Sequence, residues 1–381
     1  MDIRFTDEEE AFRQELQEFL RQELPDDWDP LNQVSHSSPQ GFPFTKQMSK
    51  KLADKGWLTL AWPREYGGQE RSIMEQVVYS EEMSYWGAPG TDLGTGAISW
   101  VGPVLMIAGT EEQKREHLPP IARAERYWCT LYSEPGAGSD LASLQTSAVL
   151  DGDDYVINGQ KIWTSSAHIA DWGWLAARTD PDAPKHRGIS LFLLDMKTPG
   201  VSVRPIIDMA GEHHFNQVIF DDTFLPSDAL LGEKGEGWSQ VMSELAFERS
   251  GPERFLSSFA LIEELIRLLR QDATEAQQAE IGRLSAHLMV LRQMSRSVAG
   301  MLNEGKNPAL QAAIVKDLGA LFEQDIPRLA RSLISRPAVP GGRDSYAAVL
   351  AYTELAVPSF SLRGGTREIL RGIIARGLGL R

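Results

Sequence analysis

The first third of the chain carries apolar residues at the spacing of amphipathic helices. Phe12, Leu16 and Phe19 fall on one helical face, and Thr6 with Glu9 ahead of them forms a capping-box pattern. The same spacing predicts further helices over residues 46–55, 73–86 and the segment that follows Thr110. Together these segments predict an N-terminal α-helical domain over residues 1–122.

The pattern changes near Tyr127, where β-branched and aromatic residues alternate between Gly, Pro and Asp. Residues 146–150 and 154–157 flank Asp151-Gly152-Asp153, a pattern typical of a β-hairpin. Other short strands are predicted over residues 127–133, 172–178, 189–195, 201–207 and 216–220. The middle of the chain therefore predicts an all-β domain of barrel or sandwich type over residues 123–232.

Helical periodicity returns near Gly237 and continues to the C-terminus. Phe255, Phe259, Ile262 and Leu265 belong to one broad apolar stripe, and similar stripes follow. The C-terminal part, residues 233–381, is therefore expected to form a four-helix bundle. We predict an α+β multi-domain protein of helix, sheet and helix, without the βαβ pattern of dinucleotide-binding folds.

Charge and composition narrow the functional classes. Lys and Arg number 38 against 53 Asp and Glu, a net charge of −15, which argues against nucleic-acid binding. The acidic start predicts no export signal, and the uncharged segment 93–110 is broken by Gly and Pro, so it predicts a buried helix and no membrane span. The single cysteine, Cys129, suits a reducing cytoplasmic location. His213 and His214 could suggest a metal site, but the side chains of adjacent residues point apart on a strand. A role in a hairpin is therefore favoured over a metal site.

Two motifs in the middle domain suggest a ligand. Residues 133–140 read SEPGAGSD, in which glycines let a ligand approach the backbone and Ser133 and Ser139 offer hydroxyls. Residues 158–166 read NGQKIWTSS, and Trp163 followed by hydroxyls can wall and hydrogen-bond a flat heterocycle. Taken singly, each motif is also typical of an ordinary turn or of a core tryptophan.

Four segments together resemble the acyl-CoA dehydrogenase family, in its order and spacing. They are residues 127–140 (YWCTLYSEPGAGSD), 158–166 (NGQKIWTSS), 218–226 (VIFDDTFLP) and 364–381 (GGTREILRGIIARGLGLR). The resemblance, which covers nearly the whole chain, implies an FAD enzyme that oxidises an acyl-CoA to its 2,3-enoyl-CoA. In that reaction a carboxylate removes the α proton, the β hydrogen leaves as hydride to flavin N5, and an electron-transfer flavoprotein accepts the electrons.

The resemblance also implies roles for individual residues near FAD. The six residues that match flavin-contacting positions are Tyr132, Ser133, Ser139, Trp163, Ser165 and Thr366. Tyr132 and Ser133 would hydrogen-bond the flavin ring, and Trp163 would pack on it. Ser165 matches the hydroxyl residue near N5, and Thr366 matches the threonine of the C-terminal Gly-Thr motif. Ser139 would lie beside both the flavin and the CoA arm, and it is therefore also a substrate-binding candidate.

The catalytic base is predicted at Glu248. Many members of the family carry the base directly before the C-terminal Gly-Thr, but here Gly364 stands there and cannot accept a proton. A minority place the glutamate on a C-terminal-domain helix, just before an arginine, and Glu248-Arg249 matches that arrangement. Arg249 would hold or tune the site and contact the substrate. Taken alone, a Glu-Arg pair is typical of a solvated helix face.

Two segments that family members lend to a neighbour's FAD are missing. Residues 270–278 read RQDATEAQQ where an Arg-x-x-Phe-Gly motif is usual, and no Gln-x-x-Gly-Gly-x-Gly-Tyr segment occurs near residues 332–345. Asp272 or Glu275 would repel a pyrophosphate.

The losses resemble the heterotetrameric α2β2 members of bacterial steroid side-chain degradation, and they imply a paralogous partner subunit and a bulky acyl-CoA. The alternatives are a homotetramer that binds FAD by other contacts, a non-catalytic scaffolding subunit and, less favoured, an acyl-CoA oxidase.

Overall fold

The computed structural model describes residues 5–28, 36–90, 96–242, 249–340 and 345–380. Its α-helices are Asp7–Glu23 (α1), Phe42–Asp54 (α2), Ile73–Tyr85 (α3), Gly102–Ala108 (α4), Glu111–Ala122 (α5), Gly237–Met242 (α6), Phe259–Leu269 (α7), Glu275–Asn303 (α8), Ala309–Leu333 (α9), Ser345–Phe360 (α10) and Arg367–Gly377 (α11). Its strands are Trp128–Leu131 (β1), Ser147–Asp151 (β2), Asp154–Ser165 (β3), Trp172–Arg178 (β4), Ile189–Asp195 (β5), Val201–Ile206 (β6), Phe215–Pro226 (β7) and Leu230–Leu231 (β8).

Local capping signals determine where the helices begin. The predicted capping box at Thr6 is confirmed, because its hydroxyl accepts from the backbone N–H of Glu9 at 3.2 Å and the Glu9 carboxylate accepts from the N–H of Thr6 at 2.9 Å. Thr110 forms the same box at the start of α5. The predicted buried helix within 93–110 is α4, which follows a π-helical turn over Ala97–Val101. Residues 91–95, at its predicted start, lie outside the described part of the chain.

The eight strands form one sheet in the order β6-β7-β3-β2-β4-β5-β8, with β1 parallel to β4. The predicted hairpin is confirmed, since Asp151 pairs with Asp154 and Gly152 takes a φ of +63° in the turn between β2 and β3. Strands β3 and β7 have 12 residues each and are longer than predicted. Register shifts in β3 interrupt the alternation of apolar and polar residues from which strand length was predicted.

The sheet belongs to a unit that spans residues 34–71 and 89–244, and apolar clusters cover both its faces. On one face, Leu105 and Leu118 of α4 and α5 pack with Trp174 and Leu191. On the other face, the rings of Tyr155 and Phe192 meet with centroids 4.9 Å apart, although β3 and β5 are not neighbours in the sheet. The sheet therefore curls over its own apolar side chains, which agrees with the predicted barrel or sandwich.

The second unit spans residues 1–33, 72–88 and 245–381. Helices α7, α8, α9 and α10 share one apolar core, as a C-terminal four-helix bundle requires; Leu265, Leu291, Phe322 and Leu350 are among its buried members. Helices α1 and α3 belong to this unit, whereas α2, α4 and α5 belong to the unit of the sheet. The domain limits predicted at residues 122 and 232 stay predictions. Among the helices of the described ranges, none is long and apolar enough to cross a membrane.

Candidate functional site

The glycine-rich loop after β1 is a tight turn held by a buried carboxylate. Glu134 and Ala137 exchange both backbone hydrogen bonds at 3.0 Å across the Pro-Gly pair between them. The side chain of Glu134 is only 9% exposed and accepts from the backbone N–H groups of Gln145 at 2.7 Å and Thr146 at 2.8 Å. The carboxylate therefore anchors the loop to the chain that leads into β2.

A buried lysine joins this loop to β3. Lys161 is fully buried and donates to Glu134 Oε1 at 2.7 Å and to the carbonyl oxygen of Tyr132 at 3.0 Å. Burial lowers the pKa of Lys161 to about 8, against the opposing effect of the Glu134 charge. Burial by itself would raise the pKa of Glu134, but the Lys161 charge and its hydrogen bonds outweigh burial and lower it.

The predicted residues Tyr132, Ser133 and Trp163 are brought together through this connection, since the N–H of Ile162 also donates to the Ser133 carbonyl at 2.8 Å. The ion pair between Lys161 and Glu134 was not predicted from the sequence. One signal in the sequence could have indicated that Lys161 is buried. It lies an even number of residues from Tyr155 and Ile157, two core-facing positions of β3, and such residues share one face of a strand.

Trp163 and Ser165 are presented by a bulge in β3. Between Lys161 and Thr164 the register with β7 shifts by one residue. Trp163 adopts a φ of +60° and is 57% exposed, and its ring meets the Phe215 ring in a T-shaped pair with centroids 6.0 Å apart. Ser165 follows, also exposed, opposite Phe215 in the register. The bulge thus turns a large aromatic ring and a hydroxyl outward.

These residues fit a flat and partly apolar heterocycle. The exposed Trp163 ring offers a large flat apolar face on which an aromatic ring system can stack. A Cβ added at Gly136 or Gly138 would meet no atom within 4 Å, so no packing in the described chain requires glycine there, and the loop leaves room for a ligand. Ser139 is exposed, and its neighbour Asp140 accepts from Lys185 Nζ at 2.8 Å. Trp163, the glycines and the serine hydroxyls are the residues that would hold FAD.

Arg249 lies against the C-terminal glycine turn. Its side chain is 8% exposed, and Nε donates to the carbonyl oxygen of Gly364 at 3.3 Å. Gly364 and Gly365 take φ values of +66° and +97°, which favour glycine over any residue with a side chain. Thr366 is the N-cap of α11, and its hydroxyl accepts from the backbone N–H three residues on at 3.4 Å. Glu248 lies outside the described residues.

A second ion pair, between a partly exposed arginine and a fully buried carboxylate, supports this turn and was not predicted from the sequence. Arg363 donates to Glu323 Oε2 at 3.1 Å and to Ser257 Oγ at 2.6 Å, and it covers the ring of Phe360 at 4.2 Å. Glu323 is fully buried and also accepts from the backbone N–H of Ser257 at 2.8 Å. Forty residues separate the two partners, so no local pattern indicated the pair.

His213 and His214 both contact residues that follow the Trp163 bulge. Within the described ranges no group of three or more His, Cys, Asp or Glu side chains could hold a metal ion. Instead, His213 stacks on His168 with ring centroids 4.0 Å apart, and the backbone carbonyl of His214 accepts from the N–H of Ser166 at 2.9 Å. Both histidines precede β7, beside the Trp163 bulge.

Comparison with known proteins assigns the family. The N-terminal, middle and C-terminal domain models of acyl-CoA dehydrogenases match residues 6–125, 129–223 and 235–379. The chain belongs to the acyl-CoA dehydrogenase family. Acyl-CoA dehydrogenases are flavin-dependent oxidoreductases that act on CH–CH bonds, and the match confirms the resemblance and the three-part fold that the sequence analysis predicted.

Curated relatives carry the same family name. The acyl-CoA dehydrogenase IpdE1 of Mycobacterium tuberculosis strain H37Rv is 36% identical over 384 residues, which cover 97% of both chains. The acyl-CoA dehydrogenase FadE34 of the same strain is 37% identical over 328 residues, which cover 86% of this chain and 45% of FadE34. This acyl-CoA dehydrogenase chain thus matches the full length of one relative and about half of another.

Solved structures of similar acyl-CoA dehydrogenases match over the whole chain. A structure described as "Tcur3481-Tcur3483 steroid ACAD" has a TM-score of 0.89 and 31% identity, with all of both chains covered. The ChsE4-ChsE5 complex from Mycobacterium tuberculosis has a TM-score of 0.86 and 32% identity, again with all of both chains covered.

Proposed function

We propose that this chain is a catalytic FAD-dependent acyl-CoA dehydrogenase in which Glu248 is the α-proton base. The observation that carries the proposal is the contact between Arg249 and the Gly364 carbonyl. Arg249 follows Glu248 directly along the chain, and the turn that Arg249 contacts is the one where many members of the family carry their base. At that turn Gly364 has no side chain that could accept a proton, so a carboxylate at residue 248 supplies the missing group.

The reaction needs one base and one hydride acceptor. Glu248 takes the proton from the carbon alpha to the thioester, the β hydrogen leaves with its electron pair, and a C=C bond forms between the two carbons. When bound, FAD supplies the hydride acceptor. In this proposal Trp163 packs on the flavin ring and excludes water, Tyr132 and Ser133 hydrogen-bond the ring, and Ser165 lies near N5. Ser139 contacts the flavin and the CoA arm.

The remaining two predicted site residues, Arg249 and Thr366, lie at or beside the C-terminal glycine turn. Arg249 holds or tunes the site and contacts the substrate. Thr366 caps the N-terminus of α11, and its hydroxyl lies at the turn beside FAD.

We further propose a bulky, steroid side-chain-like acyl-CoA as the substrate, because a structure similar over the entire chain is described as a steroid acyl-CoA dehydrogenase. An electron-transfer flavoprotein is the proposed electron acceptor.

We also propose that the active assembly is an α2β2 heterotetramer with a paralogous subunit. Five residues connect α7 to α8, and this connection exposes Asp272, with Glu275 in the first helical turn after it. Neither can bind a pyrophosphate, because both would repel it. A similar solved structure is a complex of two named proteins, ChsE4 and ChsE5, which supports a two-component assembly.

The first experiment measures FAD per chain in the protein purified alone and after co-expression with a paralogue that carries Arg-x-x-Phe-Gly. We expect little FAD in the chain alone and about one FAD per competent site in the complex, read from the flavin absorbance. Near-stoichiometric FAD in the chain alone would refute the obligate heteromer and favour a homotetramer.

The second experiment tests the base. In the FAD-loaded protein, Glu248→Gln is expected to retain the flavin spectrum and to lose about 10²–10⁴-fold of the dehydrogenation rate. Glu368→Gln is the matched control, because Glu368 is an exposed carboxylate in the first turn of α11, close to the same glycine turn. An active Glu248→Gln enzyme would overturn the assignment, and a loss in Glu368→Gln alone would move the base to that residue. Inactivity of the wild-type complex would favour a scaffolding subunit.

A further inference from the structure

The bulge that presents Trp163 needs support from outside β3. Trp163 and Ser166 both take positive φ values, +60° and +57°, which are uncommon for residues with a side chain. Such conformations persist where surrounding contacts hold them in place. The backbone between them carries Thr164 and Ser165, so the contacts of this short segment set the direction of both predicted flavin-facing side chains.

One side chain of β7 provides the central contact. Asn216 is fully buried, and its Nδ2 donates at 3.1 Å to the carbonyl oxygen of Thr164, in the peptide unit between Thr164 and Ser165. The neighbouring backbone of β7 adds the bond from the N–H of Ser166 to the His214 carbonyl at 2.9 Å. The segment from Trp163 to Ser166 is therefore held from one side by two residues around the start of β7, His214 and Asn216.

Two histidines hold the amide of Asn216. Its Oδ1 can only accept, so His213 Nε2 donates to it at 2.8 Å. Its Nδ2 can only donate, so His168 Nδ1, at 3.2 Å, accepts the second amide proton. His168 then carries its proton on Nε2, which donates to the Ser37 carbonyl at 3.1 Å.

All these hydrogen bonds are satisfied by one set of neutral tautomers. Burial lowers the pKa of His168, which favours the neutral ring that this arrangement requires. The rings of His168 and His213 also stack, with an interplanar angle of 23°. The amide of Asn216 therefore has a single orientation, and it cannot rotate without the loss of at least two hydrogen bonds.

We propose that Asn216, oriented by His168 and His213, is a positioning residue that sets the direction of Trp163 and Ser165 toward the flavin. This inference rests on the proposed function, because it assumes that these two side chains contact FAD. Asn216 itself touches neither substrate nor cofactor in this scheme. Its effect passes through the Thr164 carbonyl to the bulge.

The test compares Asn216→Ala with Thr223→Val in the full-length protein. Thr223 is the control because it is fully buried on the same strand as Asn216. It pairs with Ile157, which lies outside the bulge that presents Trp163. We expect Asn216→Ala to weaken FAD binding at least ten-fold and to shift the flavin absorption bands. We also expect the amides of residues 162–166 to exchange hydrogen faster in the FAD-free protein. Thr223→Val should change none of these.

His213→Phe provides a second variant in case Asn216→Ala does not fold. It keeps an aromatic ring to stack on His168 but removes the donor to Asn216 Oδ1, so we expect about three-fold weaker FAD binding and faster exchange of the same amides.

Unchanged FAD affinity and exchange in the folded Asn216 and His213 variants would overturn the inference, as would equal losses in Thr223→Val. If no preparation of the wild type binds FAD, the proposed function fails. The exchange rates of the FAD-free protein would then still decide whether Asn216 holds the bulge.

Discussion

The ion pair between Lys161 and Glu134 is expected to make a measurable contribution to the stability of the glycine-rich loop after β1. In Lys161→Met, the Glu134 carboxylate stays buried and loses its only cationic partner among the hydrogen bonds described, the contact of 2.7 Å. Removal of one partner of a buried pair costs about 3–5 kcal/mol. Because Glu134 keeps its two backbone N–H donors, we expect the free energy of unfolding to fall by an amount near the lower end of this range, about 3 kcal/mol.

The double variant Lys161→Met/Glu134→Gln removes both charges at once. The amide oxygen of a glutamine at residue 134 can still accept a backbone N–H, so the double variant should lose only about 1 kcal/mol, the usual net contribution of a hydrogen bond. The coupling energy between the two positions is then about 2 kcal/mol or more, within the range seen for residues of one buried network.

Urea denaturation at pH 7, followed by tryptophan fluorescence, measures these differences, and FAD titration measures the effect on the site. Lys185→Met is the matched control, because Lys185 also pairs with a carboxylate of the loop, Asp140, but on the exposed surface. We expect no measurable loss of stability in this control. Wild-type stability in Lys161→Met, or a double variant that is less stable than Lys161→Met, would refute the reasoning.

Three further predictions concern other parts of the chain. Burial lowers the pKa of His117 from 6.5 to about 4. The unfolded chain therefore binds more protons between these values, and stability should fall by about 3 kcal/mol as pH drops from 6.5 to 4; urea titrations of His117→Phe that kept this slope would contradict it. Gly136→Ala should leave stability within about 0.5 kcal/mol and weaken FAD binding in a titration. Gly102→Ala, by contrast, should destabilise by at least about 1 kcal/mol, because its Cβ would lie 2.0 Å from the Trp62 ring; equal melting of the two glycine variants would refute this contrast. Arg363→Gln should lower stability by about 3 kcal/mol or more in thermal unfolding, because Glu323 stays buried; an unchanged melting temperature would show that the pair does not hold the turn.

Local signals in the sequence determined much of the fold. The capping boxes at Thr6 and Thr110 depend on residues only three apart, and the β2–β3 hairpin depends on the residues of its own turn. Strands β4 and β5 have the predicted limits, because each is a continuous apolar run between turn residues, as expected for a strand buried on both faces. The family motifs also singled out Tyr132, Ser133 and Trp163, which the structure brings together.

Only the tertiary structure decided what holds the site residues in place. Lys161 and Glu134 are 27 residues apart, Asn216 and Thr164 are 52 apart, and Arg249 and Gly364 are 115 apart. Each contact depends on strand register, on a bulge or on a left-handed turn, and none of these follows from the spacing of residues along the chain. The chemistry of single motifs is a local property of the sequence, but buried charges and amides find their partners only when distant segments pack and exclude water.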